Sequence, residues 1–360
     1  MVPLQPKKLQ IGVVGIGRMG RRHALNVLNL APRADLLCAC SPAPSDLEWA
    51  KAAIVPYGTK VTATFEEMIE TPGLEAVIIA SATALHASQT RVALERGIHV
   101  LCEKPVTFSL QELQGIVDQA RAKPETKVMV GFTRRFDDSY KDAREKVQTG
   151  QIGQPVVFRS HGIENFDDSG FFINYARVSG GIFVDTTIHD IDLALSFFGE
   201  DIQPKKLWAT GVVVKHHEME EFHDSDNAVG VVEFWGGKIA HFYHSRTGSS
   251  GYDNTTDIFG TEGRLTINSN ARKNRVEITG PHGVRNDTHE GWIDRYESAF
   301  VTEVNDFTAA ILDNIEFPMK LDSALTSLKI ALALQESLVS GHPIKFDQQG
   351  ERIPMPTPVL

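Results

Sequence analysis

The chain has 360 residues, room for two domains at roughly 100–200 residues each. It is 42% hydrophobic and 23% charged, which fits packed cores and excludes disordered and collagen-like classes. With 36 Lys and Arg against 46 Asp and Glu, the net charge of −10 lacks the basic footprint of a nucleic-acid binder.

Residues 9–14 (LQIGVV) read as a short buried strand, and Gly15-Ile16-Gly17-Arg18-Met19-Gly20 follows at once. The next segment, RRHALNVLNLA, has helical spacing, with Ala24, Leu25, Leu28 and Ala31 on one face. Strand, G-x-G-x-x-G and helix in that order place a dinucleotide pyrophosphate at the helix N-terminus. The alternation continues through DLLCAC (35–40), a helix from Ser45 to Ile54, a strand at 61–63 and the helix FEEMIE. AVIIAS (76–81), ALHASQTRVALERG, IHVLCEK, SLQELQGIVDQARA (109–122) and KVMVGF (127–132) complete six strands and their helices. This is the doubly wound α/β pattern, a Rossmann domain over residues 1–132.

The end of the second strand bears on cofactor choice. A carboxylate about 20 residues past the glycines ordinarily binds the adenosine ribose 2′-hydroxyl. Here Cys40-Ser41-Pro42 occupies that place and no acid follows until Asp46. Ser41 offers a hydroxyl to a 2′-phosphate, and Arg18, Arg21 and Arg22 are the nearby cations. The expected cofactor is NAD(P), with NADP slightly favoured over NAD.

Residues 133–360 read as a second, α+β domain. KDAREKVQTG is a helix. PVVFRSHGI, KLWATGVVVKH, NAVGVVEFW, KIAHFYHSR, TDIFGTEGRLTIN and RVEITG alternate apolar and polar residues between turns, as strands of one large, open, mostly antiparallel sheet. Helices return at 296–316 and 322–340, and the Pro-rich tail ERIPMPTPVL is expected to be extended. A sheet with one uncovered face predicts a homodimer or homotetramer. The three cysteines, Cys38, Cys40 and Cys102, form no disulfide framework. No apolar run reaches membrane-spanning length, and MVPLQPKKLQ lacks an apolar leader, so a cytoplasmic protein is expected. The histidines match no zinc pattern, so no metal is expected.

Several segments together carry a resemblance: VVGIGRMGRRHALN (13–26), ASATALH (80–86), CEKPVTFS (102–109), GFTRRFDDSY (131–140), GQIGQPVVFRSHG (150–162), GGIFVDTTIHDIDLALSFFGED (180–201) and SGYDNTTDIFGTEG (250–263). In this order, over essentially the whole chain, they resemble the glucose–fructose oxidoreductase / inositol dehydrogenase (Gfo/Idh/MocA) family, with GFTRRFDDSY most like its inositol 2-dehydrogenases. The resemblance implies a catalytic Lys104 between cofactor and substrate, with Glu103 orienting it or meeting the cofactor ribose. A cis-proline at Pro105 would fix the lysine's direction. The chemistry is sound, because an ammonium beside a reacting alcohol stabilises developing alkoxide charge. On spacing alone, an exposed Glu-Lys pair before a turn reads equally well.

The resemblance also implies an Asp185/His189 pair. Four residues apart on a helix they share a face, and a carboxylate that fixes one tautomer makes histidine a general base. One of Asp190 and Asp192 reads as packing or capping support. The loop with Ser81, Thr83 and His86 is placed at the nicotinamide half of the cofactor, with the usual proline missing. Arg134, Asn165 and Tyr252 are implied substrate contacts, and Thr255 stands where an arginine is common. The implied reaction is hydride transfer between a nicotinamide and a secondary alcohol of a cyclic polyol or sugar. The alternatives are an NAD-dependent glycoside hydrolase with no net redox change and a non-catalytic sugar or nucleotide sensor.

Overall fold

The computed structural model describes residues 7–354. Its contacts divide the chain into two units, Met1–Phe136 with Ser298–Leu325, and Asp137–Glu297 with Thr326–Leu360.

The first unit contains strands β1 (Leu9–Val14), β2 (Ala34–Cys40), β3 (Lys60–Thr62), β4 (Ala76–Ile79), β5 (His99–Glu103) and β6 (Val128–Gly131). They form one parallel sheet in the order β3-β2-β1-β4-β5-β6. The helices between them are α1 (Arg18–Leu30), α2 (Pro44–Ala53), α3 (Phe65–Ile69), α4 (Thr83–Glu95) and α5 (Leu110–Ala122). Val77, Ile78 and Ile79 on β4 are completely buried, as strands covered on both faces require. The order reverses between β1 and β4, so the carboxyl ends of these two strands flank the crevice where such sheets bind ligands. Cys38, Cys40 and Cys102 are buried and unbridged, and burial raises the Cys38 thiol to about 11 and the other two to about 12. They are core residues held as thiols.

The second unit contains α6 (Asp138–Gln148), β7 (Pro155–Asn165), α7 (Phe171–Ala176), α8 (Ile188–Phe198), β8 (Pro204–Val212), β9 (Asn227–Phe234), β10 (Lys238–Gly248), β11 (Asp253–Gly260) and β12 (Arg264–Ile267). A hairpin of β13 (Ile278–Gly280) and β14 (Gly283–Arg285), then α9 (Trp292–Arg295), follow. Along the chain, α10 (Glu297–Leu312) and α11 (Leu321–Ser340) then run through segments divided between the two units, and the pair β15 (Ile344–Phe346) and β16 (Arg352–Ile353) ends the described chain. The eight-stranded sheet runs β12-β11-β7-β10-β9-β8-β15-β16, antiparallel except for β7 beside β10. Phe158, Phe197, Phe198, Phe234 and Phe242 pack α8 against one face in tilted and edge-on contacts.

Two sequence expectations need correction. RVEITG does not join the large sheet. Only Ile278–Gly280 is a strand, and its partner is β14, in a hairpin that is exposed along both strands. A segment with no face to bury gains little from the sheet. Most of α10, read with the second domain, gathers with the first unit. Its Ala299, Phe300, Glu303, Val304, Phe307 and Thr308 form a buried stripe at helical spacing. α11 begins in that unit and continues in the other. Of the expected extended tail, Arg352–Ile353 pair with β15, and residues 355–360 lie outside the described residues.

Candidate active site

The phosphate-binding half is built by the turn between β1 and α1. A Cβ on Gly20 would lie 1.7 Å from the Gly15 carbonyl oxygen, so only glycine lets the helix close on the strand. A Cβ on Gly17 would meet nothing within 4 Å, and Gly17 caps α1 without a side-chain hydrogen bond. The first turn of α1 therefore begins beside open space, where helix N-terminal N–H groups can meet a pyrophosphate. These residues fit a dinucleotide.

At the carboxyl end of β2, Ser41 is buried and donates to Asp46 Oδ2 at 2.8 Å. Arg21 Nη2 donates to Asp46 Oδ1 at 2.8 Å, and its guanidinium lies 5.0 Å over the Trp49 ring. The nearest acid is thus already matched to a cation. Arg18 and Met19 open α1, Arg18 exposed and Met19 half-buried. Ser81 donates to Gln89 Oε1 at 2.6 Å, and Thr83 begins α4. His86 is buried, its Nδ1 3.0 Å from the Pro105 carbonyl and its Nε2 3.0 Å from the Ser81 carbonyl. Its ring ties the turn after β4 to the turn after β5.

That second turn carries Glu103, Lys104 and Pro105, and the Lys104–Pro105 peptide is cis. Glu103 Oε1 accepts from His23 Nε2 at 2.8 Å, and Oε2 accepts from the Lys104 backbone N–H at 3.3 Å. Burial opposes the charged form of Glu103. The hydrogen bond and charge of His23, then Lys104 and His86, outweigh it and hold the carboxyl below its usual range. The carboxylate is therefore a fixed anchor for the Lys104 turn. Arg134 is buried in the short 3₁₀ turn after β6.

In the second unit, Asp185 lies in one turn of π-helix, Phe183–Thr187, that runs directly into α8. The expected α-helical spacing of Asp185 and His189 is therefore wider at its start. Such insertions recur at functional sites because they re-aim side chains. Thr186 and Thr187 both donate to the Ile182 carbonyl, at 2.6 and 3.2 Å, and so satisfy backbone at the widened turn. His189 is half-buried in the first turn of α8. Asp190 accepts from Ser160 and is buried, which makes it the packing support, and Asp192 is buried as well.

The geometry adds three residues the sequence reading missed. The Tyr175 hydroxyl donates to Asp185 Oδ1 at 2.9 Å, and Arg246 Nη2 donates to Asp185 Oδ2 at 2.9 Å. Arg246 Nη1 donates to Asp224 Oδ2 at 3.0 Å, and Asp224 Oδ1 accepts from the Ile182 N–H at 3.0 Å. Burial works against the Arg246 charge, but Asp185, Asp224 and Glu164 outweigh it and keep the guanidinium firmly protonated. Arg246 was legible in principle: Ala240, Phe242, His244 and Arg246 alternate along β10 as buried positions.

Asn165 is exposed and spans two loops, accepting from Gly251 N–H at 3.0 Å and donating to the Glu290 carbonyl at 2.9 Å. Tyr252 is buried, edge-on to Tyr296 with ring centroids 6.3 Å apart. Thr255 donates to the Asn268 carbonyl at 2.7 Å, a structural bond an arginine there would not reproduce. No group of three or more His, Cys, Asp or Glu among the described residues is placed to hold a metal ion.

Residues 9–132 match the family model for the NAD-binding Rossmann fold of GFO/IDH/MocA oxidoreductases, and residues 140–266 match the GFO/IDH/MocA C-terminal domain. The chain belongs to this oxidoreductase family. It is 31% identical to the scyllo-inositol 2-dehydrogenase (NAD(+)) of Bacillus subtilis, over 94% of this chain and 97% of that protein. It is 30% identical to the myo-inositol 2-dehydrogenase of Thermotoga maritima, over 94% and 99%. Among solved structures, it resembles the scyllo-inositol dehydrogenase of Lactobacillus casei with bound NAD(H) and scyllo-inositol. That match has a TM-score of 0.89 at 31% identity, over 94% of this chain and 99% of that one. Family membership accounts for the strand order of the first unit and the large mixed sheet of the second.

Proposed function

We propose that the protein is an NAD(P)-dependent dehydrogenase that oxidises a secondary alcohol of a cyclic polyol, with inositols as the substrate class. The observation that carries this reading is the anchored Glu103-Lys104-Pro105 turn in a dinucleotide-binding sheet, in a chain with inositol dehydrogenase relatives along nearly its whole length. Gly15, Gly17, Arg18, Met19 and Gly20 would hold the pyrophosphate, and Ser81, Thr83, His86 and Glu103 would shape the nicotinamide end. Bound there, the cofactor supplies the hydride acceptor. Lys104 then hydrogen-bonds the reacting hydroxyl and stabilises alkoxide charge, while His189 takes its proton. Asp185 orients the substrate hydroxyl, itself fixed by Tyr175 and Arg246. Arg134, Asn165 and Tyr252 complete the substrate-binding assignment.

NADP is accepted at least as well as NAD in this reading. Ser41 replaces the carboxylate that would repel a 2′-phosphate, and the charge of Asp46 is offset by Arg21. A screen of inositols, aldoses and uronates against both cofactors, read by the near-ultraviolet absorbance of reduced nicotinamide, tests the assignment. Net reduction with at least one inositol is the expected result. Sugar release without lasting reduction would replace the dehydrogenase by a hydrolase.

The working form is a homodimer or homotetramer, and a cytoplasmic location accords with three unbridged cysteines. Among the described residues no helix is long and apolar enough to cross a membrane. Trp208 and Val212 on β8 and Ile239 on β10 are exposed large apolar residues. The alternation along β8 and β10 opposes them to the buried Leu207, Ala209 and Ala240, so they share the uncovered face. Trp208→Arg is expected to reduce the sedimenting mass toward that of one chain. An unchanged mass would remove this face from the assembly.

A further inference from the structure

The mechanism does not use the buried acid Glu303. Glu303 on α10 is completely buried, and neither carboxyl oxygen has a hydrogen-bond partner among the described residues. A buried polar group without a partner is destabilising, so its presence in a largely apolar stripe asks for a reason. One turn before it, Phe300 packs edge-on against His23, with ring centroids 5.9 Å apart. His23 is the residue bonded to Glu103, and Glu103 in turn holds the Lys104 backbone N–H. The α10 face thus backs the pair that anchors the Lys104 turn.

We propose that Glu303 is a positioning residue for Lys104, acting through the His23–Glu103 pair. The proposal rests on the assignment of Lys104 above. β5 supplies Glu103 and Cys102, α1 His23 and α4 His86, while Lys104 follows Glu103 in the chain. β6 presents only Gly131, where a Cβ would meet Glu103 Oε2 at 3.3 Å. Burial, and then the negative charge of Glu103, raise the Glu303 carboxyl well above its ordinary value of 4.5. The two carboxyls therefore split in the manner of paired acids: Glu103 is ionised and Glu303 keeps its proton. While Glu303 is neutral, Glu103 carries the single negative charge that His23 and the Lys104 N–H share. When Glu303 loses its proton, its charge repels that of Glu103. The repulsion pushes Glu103 away, and its hold on Lys104 loosens. Glu303 thereby sets the alkaline limit of the Lys104 geometry.

The Lys104 amide is the direct reporter, and it needs neither substrate nor activity. Protein labelled with ¹⁵N-lysine is titrated from neutral to alkaline pH, with the Lys104 signal assigned from Lys104→Arg. In the native protein the Lys104 amide resonance should move through an alkaline transition. In Glu303→Gln, which cannot ionise, that transition should vanish, and the alkaline arm of kcat should move up by about one pH unit or more. Glu303→Leu serves if the glutamine variant folds poorly, since leucine leaves no buried polar group. A Lys104 amide titration identical in native protein and variants overturns the proposal. If no polyol is oxidised, the assignment of function fails, while the amide titration still decides the link between Glu303 and the Lys104 turn.

The same groups give a stability signature with a defined sign. Glu303, with its raised value, contributes stability below about pH 4.5 that is lost as pH rises toward its folded value. Melting temperatures should therefore fall further in native protein than in Glu303→Gln between pH 5 and pH 8, and a constant gap would show Glu303 already ionised and overturn the proposal.

Discussion

Replacing His189 by alanine should lower kcat roughly 10²–10⁴-fold, the usual contribution of a positioned general base. The loss should fall on kcat far more than on KM, because the proton moves only in the transition state. His189 is half-buried in the first turn of α8, with the helix beyond it packed through Ile191, Leu195 and Phe198. Truncating it leaves that apolar face intact, so the melting temperature should change little. Initial rates with the best polyol from the screen, alongside a thermal melt, separate the two effects. Unchanged turnover would remove His189 from the mechanism and leave proton transfer to another group.

The first unit was the more legible because its signals are local. Glycine spacing, short strands and helical periods fix a βαβ unit within about 30 residues. β1, α1 and the turn between them accordingly fall where the sequence puts them. The second unit depends on pairing at long range. β7 pairs with both β10 and β11, some 80 to 100 residues onward, and nothing local in PVVFRSHGI specifies either partner. RVEITG shows the cost of reading alternation alone, since a strand also needs a neighbour with a face to cover. The proposed site residues follow the same rule. Lys104 and His189 each lie in a contiguous motif, whereas the groups that fix their surroundings come from distant segments. Glu303 stands 200 residues beyond Glu103, and Arg246 stands 61 beyond Asp185. Both are charged residues at positions whose period says core. That contradiction was visible in the sequence and is the kind that marks a functional site.

Arg246→Met should be the most damaging single substitution in the second unit. The guanidinium is 1% exposed and bridges Asp185 and Asp224, whose side chains are 8% and 2% exposed. It also lies 4.7 Å over the Phe172 ring. Removing it strands two carboxylates in a site with little water, and breaking a buried pair in this way costs about 3–5 kcal/mol. The denaturant midpoint should fall accordingly. Arg246→Lys should recover only part of the loss, because an ammonium is a point charge and cannot reproduce the two directed bonds of the fork. Adding Asp224→Asn to Arg246→Met removes one stranded charge and should return some of the midpoint. It should not return kcat, because Asp185 still lacks the donor that fixes its Oδ2. Stability and turnover thus separate in the double variant, which a purely structural ion pair would not allow. Recovery of both together would reduce Arg246 to a core contact. Recovery of stability alone would make it the support on which the Asp185 carboxylate depends.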